Sequence, residues 1–258
     1  EGPTIILMKE QLSKFVGQKV ISVEGTVKFD YKLIANKKLK EIRLFGKQTY
    51  LIFDKINVRI HLLMFGSYEI DEQTKPDRNL RIGLTFKNGK GLFFTCSVKI
   101  LPNDILKTID WEADVMSDIW NPKKASAKLK DNPEMMVCDA LMDQDIFYGV
   151  GNVIKNETLF RIGVQPESTL GKMPKNKISE LLSEARNYSF NFLKWKRENT
   201  LKKHWKAHQK KNCPLCGKPL ARKITGKYKR RSFYCETDQK LRLIMLVKNI
   251  YKMRLLSI

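Results

Sequence analysis

The apolar residues of this chain change their period once, and that change limits the fold more than any other feature. Short β-branched or aromatic runs at 20–25, 42–45, 49–53, 58–64, 84–86 and 92–98 are separated by polar turns, the pattern of half-buried strands. Asn88-Gly89, flanked by Leu84-Thr85-Phe86 and Leu92-Phe93-Phe94, predicts a hairpin with a type I′ turn. Before the strands, Ile5, Met8, Leu12 and Phe15 follow helical spacing from Pro3 to a stop at Gly17. This reads as a short first helix and a β-sandwich or barrel to about residue 110. The lysine-rich stretch 121–133, bracketed by prolines, reads as a linker or short helix. Beyond it the spacing is helical at 135–144, at 153–161 and at 175–195, where Ile178, Leu181, Leu182 and Ala185 share a face. Strands followed by helices predict an α+β chain with two segregated domains and a cleft between them.

Composition narrows the partner. With 258 residues and 42% hydrophobic content the chain can bury a core, which excludes disorder as its main state. Lys plus Arg number 49 against 27 acids, a net charge of +22, and such an excess repels itself unless a polyanion neutralises it. The charge is interleaved with aromatic residues, so a folded nucleic-acid-binding surface is expected. Residues 1–17 show no signal-peptide pattern, and no window reaches the roughly 18 apolar residues of a membrane span. The expectation is a cytoplasmic protein. The apolar, basic tail 240–258 reads as a docked amphipathic helix.

Five cysteines argue against a disulfide framework and for a metal site or buried thiols. Cys213-Pro-Leu-Cys216-Gly and Phe233-Tyr-Cys235 have the form of a small zinc ribbon, with Asp238 where a fourth cysteine would complete it. Either Cys213, Cys216, Cys235 and Asp238 hold one structural zinc, or the hairpin keeps its shape without metal. Cys96 and Cys138 read as buried thiols. The basic segment 227–231 is the tip expected if this finger enters nucleic acid, and the cations of 194–197 and 202–206 extend it. Tyr148-Gly149-Val150-Gly151-Asn152 predicts a tight turn with Asn152 as the cap of the next helix, its free amides open to a phosphate. No strand precedes it, so it is not a dinucleotide fingerprint.

Five segments, taken in order, resemble the formamidopyrimidine-DNA glycosylase and endonuclease VIII family over nearly the whole chain. They are Glu1-Gly2-Pro3, Gly46-Lys47, His61-Leu-Leu-Met64-Phe-Gly66, the stretch 141–152 running into Glu157-Thr-Leu-Phe160, and the finger 213–239. The resemblance implies an N-terminal β-sandwich catalytic domain (1–110), a linker (111–132), a helix two-turn helix DNA-binding domain (133–210), a zinc or zincless finger (211–240) and a tail (241–258). It implies a bifunctional DNA glycosylase and AP lyase that binds damaged double-stranded DNA as a monomer, in the cytoplasm or on a bacterial nucleoid. Its nucleophile would be the secondary amine of a proline directly before Glu1, and Glu1 the general acid. Lys47, Asn152 and Arg230 would hold phosphate, Glu157 would serve DNA binding from the following helix, and Met64 would enter the duplex. Leu63 and Phe65 are expected in the core. Thr4 stands where the family carries a second acid. Segment 95–102 has no arginine-plus-phenylalanine wedge, which favours the endonuclease VIII-like branch and oxidised pyrimidines. The alternative is a non-catalytic damaged-DNA-binding protein of the same fold.

Overall fold

The computed structural model describes residues 1–243, so the tail helix expected at 240–258 falls outside them from residue 244 on. Helix α1 (Gly2–Leu12) starts with Pro3 in its first turn, where no backbone N–H is needed. It buries Ile5, Met8 and Leu12, and a 3₁₀ turn at 13–15 carries Phe15 into the same core.

Eight strands follow as two antiparallel sheets: β1 (Ser22–Glu24), β2 (Glu41–Phe45), β3 (Gln48–Ile52), β4 (Ile56–His61), β5 (Ser67–Ile70), β6 (Leu80–Phe86), β7 (Gly89–Phe94) and β8 (Ser97–Pro102). One sheet has the order β1-β6-β7-β5 and the other β2-β3-β4-β8. Ile42, Leu51, Val58 and Ile60 of the second face Ile82, Leu84, Phe86 and Phe93 of the first in one core, with Phe15 stacked on Phe86 at 4.6 Å. The run 92–98 is not one strand. Thr95, at φ 50°, breaks it, and β7 and β8 join different sheets. Strand β5 escaped sequence analysis because all four of its residues are half-buried and show no alternation. The hairpin exists one residue earlier than its motif implied: Phe86 pairs with Gly89, so Lys87-Asn88 form the loop and the positive φ of 131° falls on Gly89.

The second half contains α2 (Pro122–Lys130), α3 (Val137–Met142), α4 (Asn152–Arg161) and α5 (Lys175–Arg197). The stretch read as a linker or short helix is the helix α2, whose Ala125 and Leu129 join Val115, Leu141, Ile154, Leu181 and Tyr188 in a second core. Apolar positions four residues apart gave α2 a face to bury, so the segment is packed rather than a free tether. Strands β9 (Ala221–Thr225) and β10 (Arg230–Tyr234) form the terminal hairpin. Its turn docks on α3, where the Asp139 carboxylate accepts from the N–H groups of Lys227 (3.0 Å) and Tyr228 (3.5 Å). Cys96 and Cys138 are buried, which pushes both thiols up to about 11. Helix α1 joins the halves, with one face in the sandwich core and Glu10 paired to Arg197 of α5. Among the described residues no helix is long and apolar enough to cross a membrane.

Candidate active site

The chain start, the β2–β3 turn and the first turn of α4 meet at one crevice. Gly2 N–H donates to the Gly149 carbonyl (2.9 Å), and the Glu1 Oε1 atom accepts from Val153 N–H (3.0 Å), the second residue of α4. Glu1 therefore caps α4, with its carboxylate at the positive end of the helix. Asn152 does not serve as that cap. It is the first helical residue, and its Nδ2 donates instead to the Arg231 carbonyl (3.1 Å). The residue before it is glycine for a steric reason: a Cβ on Gly151 would lie 2.3 Å from Glu1 Oε2. Among the described residues Glu1 Oε2 and Asn152 Oδ1 are buried with no hydrogen-bond partner. Native structures rarely leave such atoms unpaired, and both of these belong to residues at the first turn of α4. An amine at the Glu1 nitrogen is held below its ordinary range, first by burial and then by Lys47 and Lys196, with the Glu1 carboxylate opposing.

Lys47 reaches this crevice because its turn is clamped. Gly46 adopts φ 56°, and a Cβ there would lie 2.0 Å from the Tyr148 ring. Phe45 stacks on Tyr148 with centroids 3.7 Å apart, and Gly46 N–H donates to Asp114 Oδ2 (2.7 Å). Asp114 also accepts from Met116 N–H (2.9 Å), and burial pushes its carboxyl up against those two donors. The Lys47 ammonium is lowered mainly by burial, raised by Glu1 and lowered again by Arg230. Arg230, the first residue of β10, points its guanidinium at the Met64 sulfur (Nη1 to Sδ, 3.2 Å). Glu1, Lys47, Arg230 and Met64 thus come together from four separate segments. Of the residues that fix them, Tyr148 and Gly151 lie in the turn that sequence analysis read for its free amides, and Asp114 was not singled out. The unusual density of glycine and aromatic residues at 45–46 and 148–151 was their signal.

The segment between β4 and β5 overturns one expectation. Leu63, Met64 and Phe65 are 61%, 64% and 79% exposed, so Leu63 and Phe65 are not core residues. Leu62 takes the buried position, and His61 Nδ1 accepts from Leu63 N–H (3.0 Å), holding Leu63 at φ 55°. Three consecutive apolar side chains presented to water mark an interaction surface.

Glu157 is a second correction. It is 0% exposed, and its carboxylate accepts from the N–H groups of Lys206, Ala207 and His208 at 2.8–3.0 Å. A carboxylate so enclosed repels no phosphate and meets none. It clamps the loop after α5, where burial pushes His208 down to about 4.

In the finger, one ligand atom from each of Cys213, Cys216, Cys235 and Asp238 lies within 4.8 Å of the others. The sulfurs of Cys216 and Cys235 are 3.5 Å apart, and Asp238 Oδ2 is 3.0 Å from Cys213 Sγ and 3.1 Å from Cys235 Sγ. Tetrahedral zinc with bonds of about 2.3 Å to sulfur and 2.0 Å to oxygen fits such a set. The Asp238 carboxylate pushes the Cys216 thiol up to about 12, as expected for a carboxylate hydrogen-bonded to a protonated thiol. These four residues are positioned to bind a metal ion.

No family model matches the chain. Among curated proteins it is 28% identical over 218 residues to endonuclease 8-like 3 of Xenopus laevis, covering 77% of this chain and 34% of that protein. It is 29% identical over 210 residues to the Homo sapiens protein of the same name, with the same coverage. Formamidopyrimidine-DNA glycosylase of Shewanella halifaxensis is 27% identical over 236 residues, covering 81% of this chain and 85% of that one. Among solved structures, a complex of Lactococcus lactis Fpg (MutM) with DNA containing FAPY-dG superposes with a TM-score of 0.82 at 19% identity, over 93% of this chain and 100% of that one. A viral DNA glycosylase gives 0.79 at 18% identity, with coverages of 93% and 100%. The likeness in sequence is to the formamidopyrimidine-DNA glycosylase and endonuclease VIII family, and the fold is that of Fpg. Within it, the sequence likeness falls on the endonuclease 8-like branch, and the chain spans about a third of the length of the endonuclease 8-like 3 relatives it matches.

Proposed function

We propose that this chain is a base-excision-repair DNA glycosylase with AP lyase activity, acting on oxidised bases in duplex DNA with pyrimidines favoured. The observation that carries the proposal is the half-buried Glu1 carboxylate, held by the N-terminus of α4 with its buried Oε2 unpartnered, in the crevice that Lys47 also enters. In this scheme the secondary amine of a proline preceding Glu1 attacks C1′ of the damaged nucleotide. The new N–C1′ bond forms as the bond to the base breaks, the amine's proton passes to the departing base, and Glu1 protonates the sugar ring oxygen, so the nitrogen lone pair opens the ring to an iminium. The resulting iminium acidifies the C2′ proton, and its removal expels the 3′ phosphate. An amine acts only when unprotonated, and a proline next to Glu1 would sit near Lys47, whose charge disfavours a second cation.

Binding follows from the same geometry. Lys47, Arg230 and the remaining N–H of Asn152 grip the phosphates around the lesion, and Met64 fills the space left by the extruded nucleotide. The turn between α3 and α4 supplies the DNA-facing element of a helix two-turn helix motif, and the hairpin 221–234 supplies Arg230. Zinc, when bound by Cys213, Cys216, Cys235 and Asp238, would cross-link the base of that hairpin. The β7–β8 connection is only Thr95 and buried Cys96, which leaves no second wedge loop and supports the preference for pyrimidines. The test is strand nicking and base release on duplex carrying an oxidised pyrimidine, with Glu1→Gln as the comparison. Loss of a general acid lowers base release about 10²-fold or more. Tight lesion binding with no base release by the unaltered protein would favour a non-catalytic binder and reject the enzyme.

A further inference from the structure

Helix α4 grips strand β10 through one face. Asn152, Lys155 and Asn156 stand at the spacing i, i+3, i+4, which puts them side by side. Asn152 and Asn156 both donate to the Arg231 carbonyl (3.1 and 3.3 Å), and Asn156 Oδ1 accepts from Phe233 N–H (3.3 Å). Between them Lys155 Nζ donates to Ser232 Oγ (2.8 Å), which in turn shares a hydrogen bond with Thr225 Oγ1 across the hairpin (2.6 Å). Lys155 is 1% exposed, and Ser232 is equally buried. A buried ammonium whose direct partner is a hydroxyl is costly, because desolvation outweighs the more distant opposite charges. The carboxylate on α3, Asp139, spends its oxygens on the backbone of Lys227 and Tyr228. A methionine of similar length would fill the space without that cost, so packing does not account for the charge.

What the charge faces does account for it. Ser232 is two residues from Arg230, and Arg230 is close enough to act on the amine electrostatically. We propose that Lys155 is a positioning residue for DNA binding: its buried ammonium fixes β10 with Arg230 turned toward the crevice and adds positive potential beneath the phosphate held there. This rests on the DNA-binding reading above.

The groups facing the amine are Cys138 and Asp139 of α3, Arg230 of β10, Glu1, and His208 of the loop after α5. Burial, the largest influence, lowers it to about 8; Arg230 lowers it further, while Cys138, Asp139 and Glu1 raise it. A phosphate on Arg230 would favour the charged form, so binding takes up a proton and weakens as pH rises past 8. The folded value lies below the unfolded one, so the charged amine destabilises the fold fully below pH 8. That penalty fades as pH rises from 8 toward 10.5.

The experiment measures affinity of the full chain for a duplex containing a tetrahydrofuran abasic analogue from pH 6.5 to 9.5, together with melting temperature, for the unaltered protein, Lys155→Met and Ser232→Ala. The unaltered protein should lose about tenfold in affinity across the upper range, as one linked proton dictates. Lys155→Met should bind about tenfold more weakly at pH 7, lose the transition near pH 8 and melt no lower. A transition near pH 8 that persists in Lys155→Met belongs to another group, such as Lys47, and overturns the proposal. So does a Lys155→Met protein whose affinity falls only in step with its stability. Should Lys155→Met fail to fold, the flat pH profile of the unaltered protein would overturn the proposal, whereas a profile shifted by Ser232→Ala would support it. Absence of binding by the unaltered protein at every pH would refute the DNA-binding reading itself.

Discussion

At the scale of single residues, the crevice depends on contacts that admit no spare atom. Gly151→Ala puts a methyl 2.3 Å from the Glu1 carboxylate and must displace it from Val153 N–H. Base release should fall by about 10²-fold while the melting temperature changes little, since the general acid moves and the core does not; single-turnover kinetics would check this. Glu157→Ala removes the acceptor of three N–H groups, those of Ala207 and His208 buried and that of Lys206 partly so. It should cost about 2–4 kcal/mol of stability by urea unfolding, because each donor then lacks a partner. Arg230→Ala should weaken DNA binding by about 1–3 kcal/mol without unfolding the protein, the worth of a charge-assisted contact. Equilibrium titration at fixed salt decides that. A full-strength Gly151→Ala or Arg230→Ala enzyme would remove these residues from the site.

At the scale of elements, how much was legible depends on where each signal resides. The first helix, most strands and the three longer helical stretches could be read because period and burial coincide in them, as at Ile5, Met8 and Leu12. Strand β5 and the break at Thr95 could not, since half-buried residues carry no period and a single left-handed residue leaves no pattern. In the site, the structure brings Glu1, Lys47, Arg230 and Met64 near one another. Leu63, Phe65 and Glu157 were misjudged because side-chain chemistry does not reveal which way a loop faces or which backbone a carboxylate finds. Long-range bracing, such as Asp114 on Gly46, is likewise invisible before folding. The finger yields an element-scale prediction. Metal analysis of purified protein should find about one equivalent of zinc, and chelation should lower the affinity for DNA more than the stability of the sandwich. Asp238→Cys should tighten the site, since a thiolate is the softer ligand. Metal content near zero in DNA-binding protein would show that the hairpin stands without it.

At the scale of the whole molecule, a net charge of +22 draws a polyanion to the protein at long range. Affinity should therefore fall steeply with salt, with log K against log salt declining by about 0.9 per phosphate neutralised, and Arg230→Ala should reduce that slope by about one. In the proposed reaction charge governs encounter, and the chemistry rests on the amine of a proline before Glu1. The central claim is tested most directly by borohydride trapping. The protein bearing a proline before Glu1 is mixed with an oxidised-pyrimidine duplex under reductant, and the adduct is digested and sequenced by mass spectrometry. The account predicts one covalent DNA adduct, on the N-terminal proline, with release of the base. An adduct on a lysine, or lesion binding with neither adduct nor free base, would contradict it.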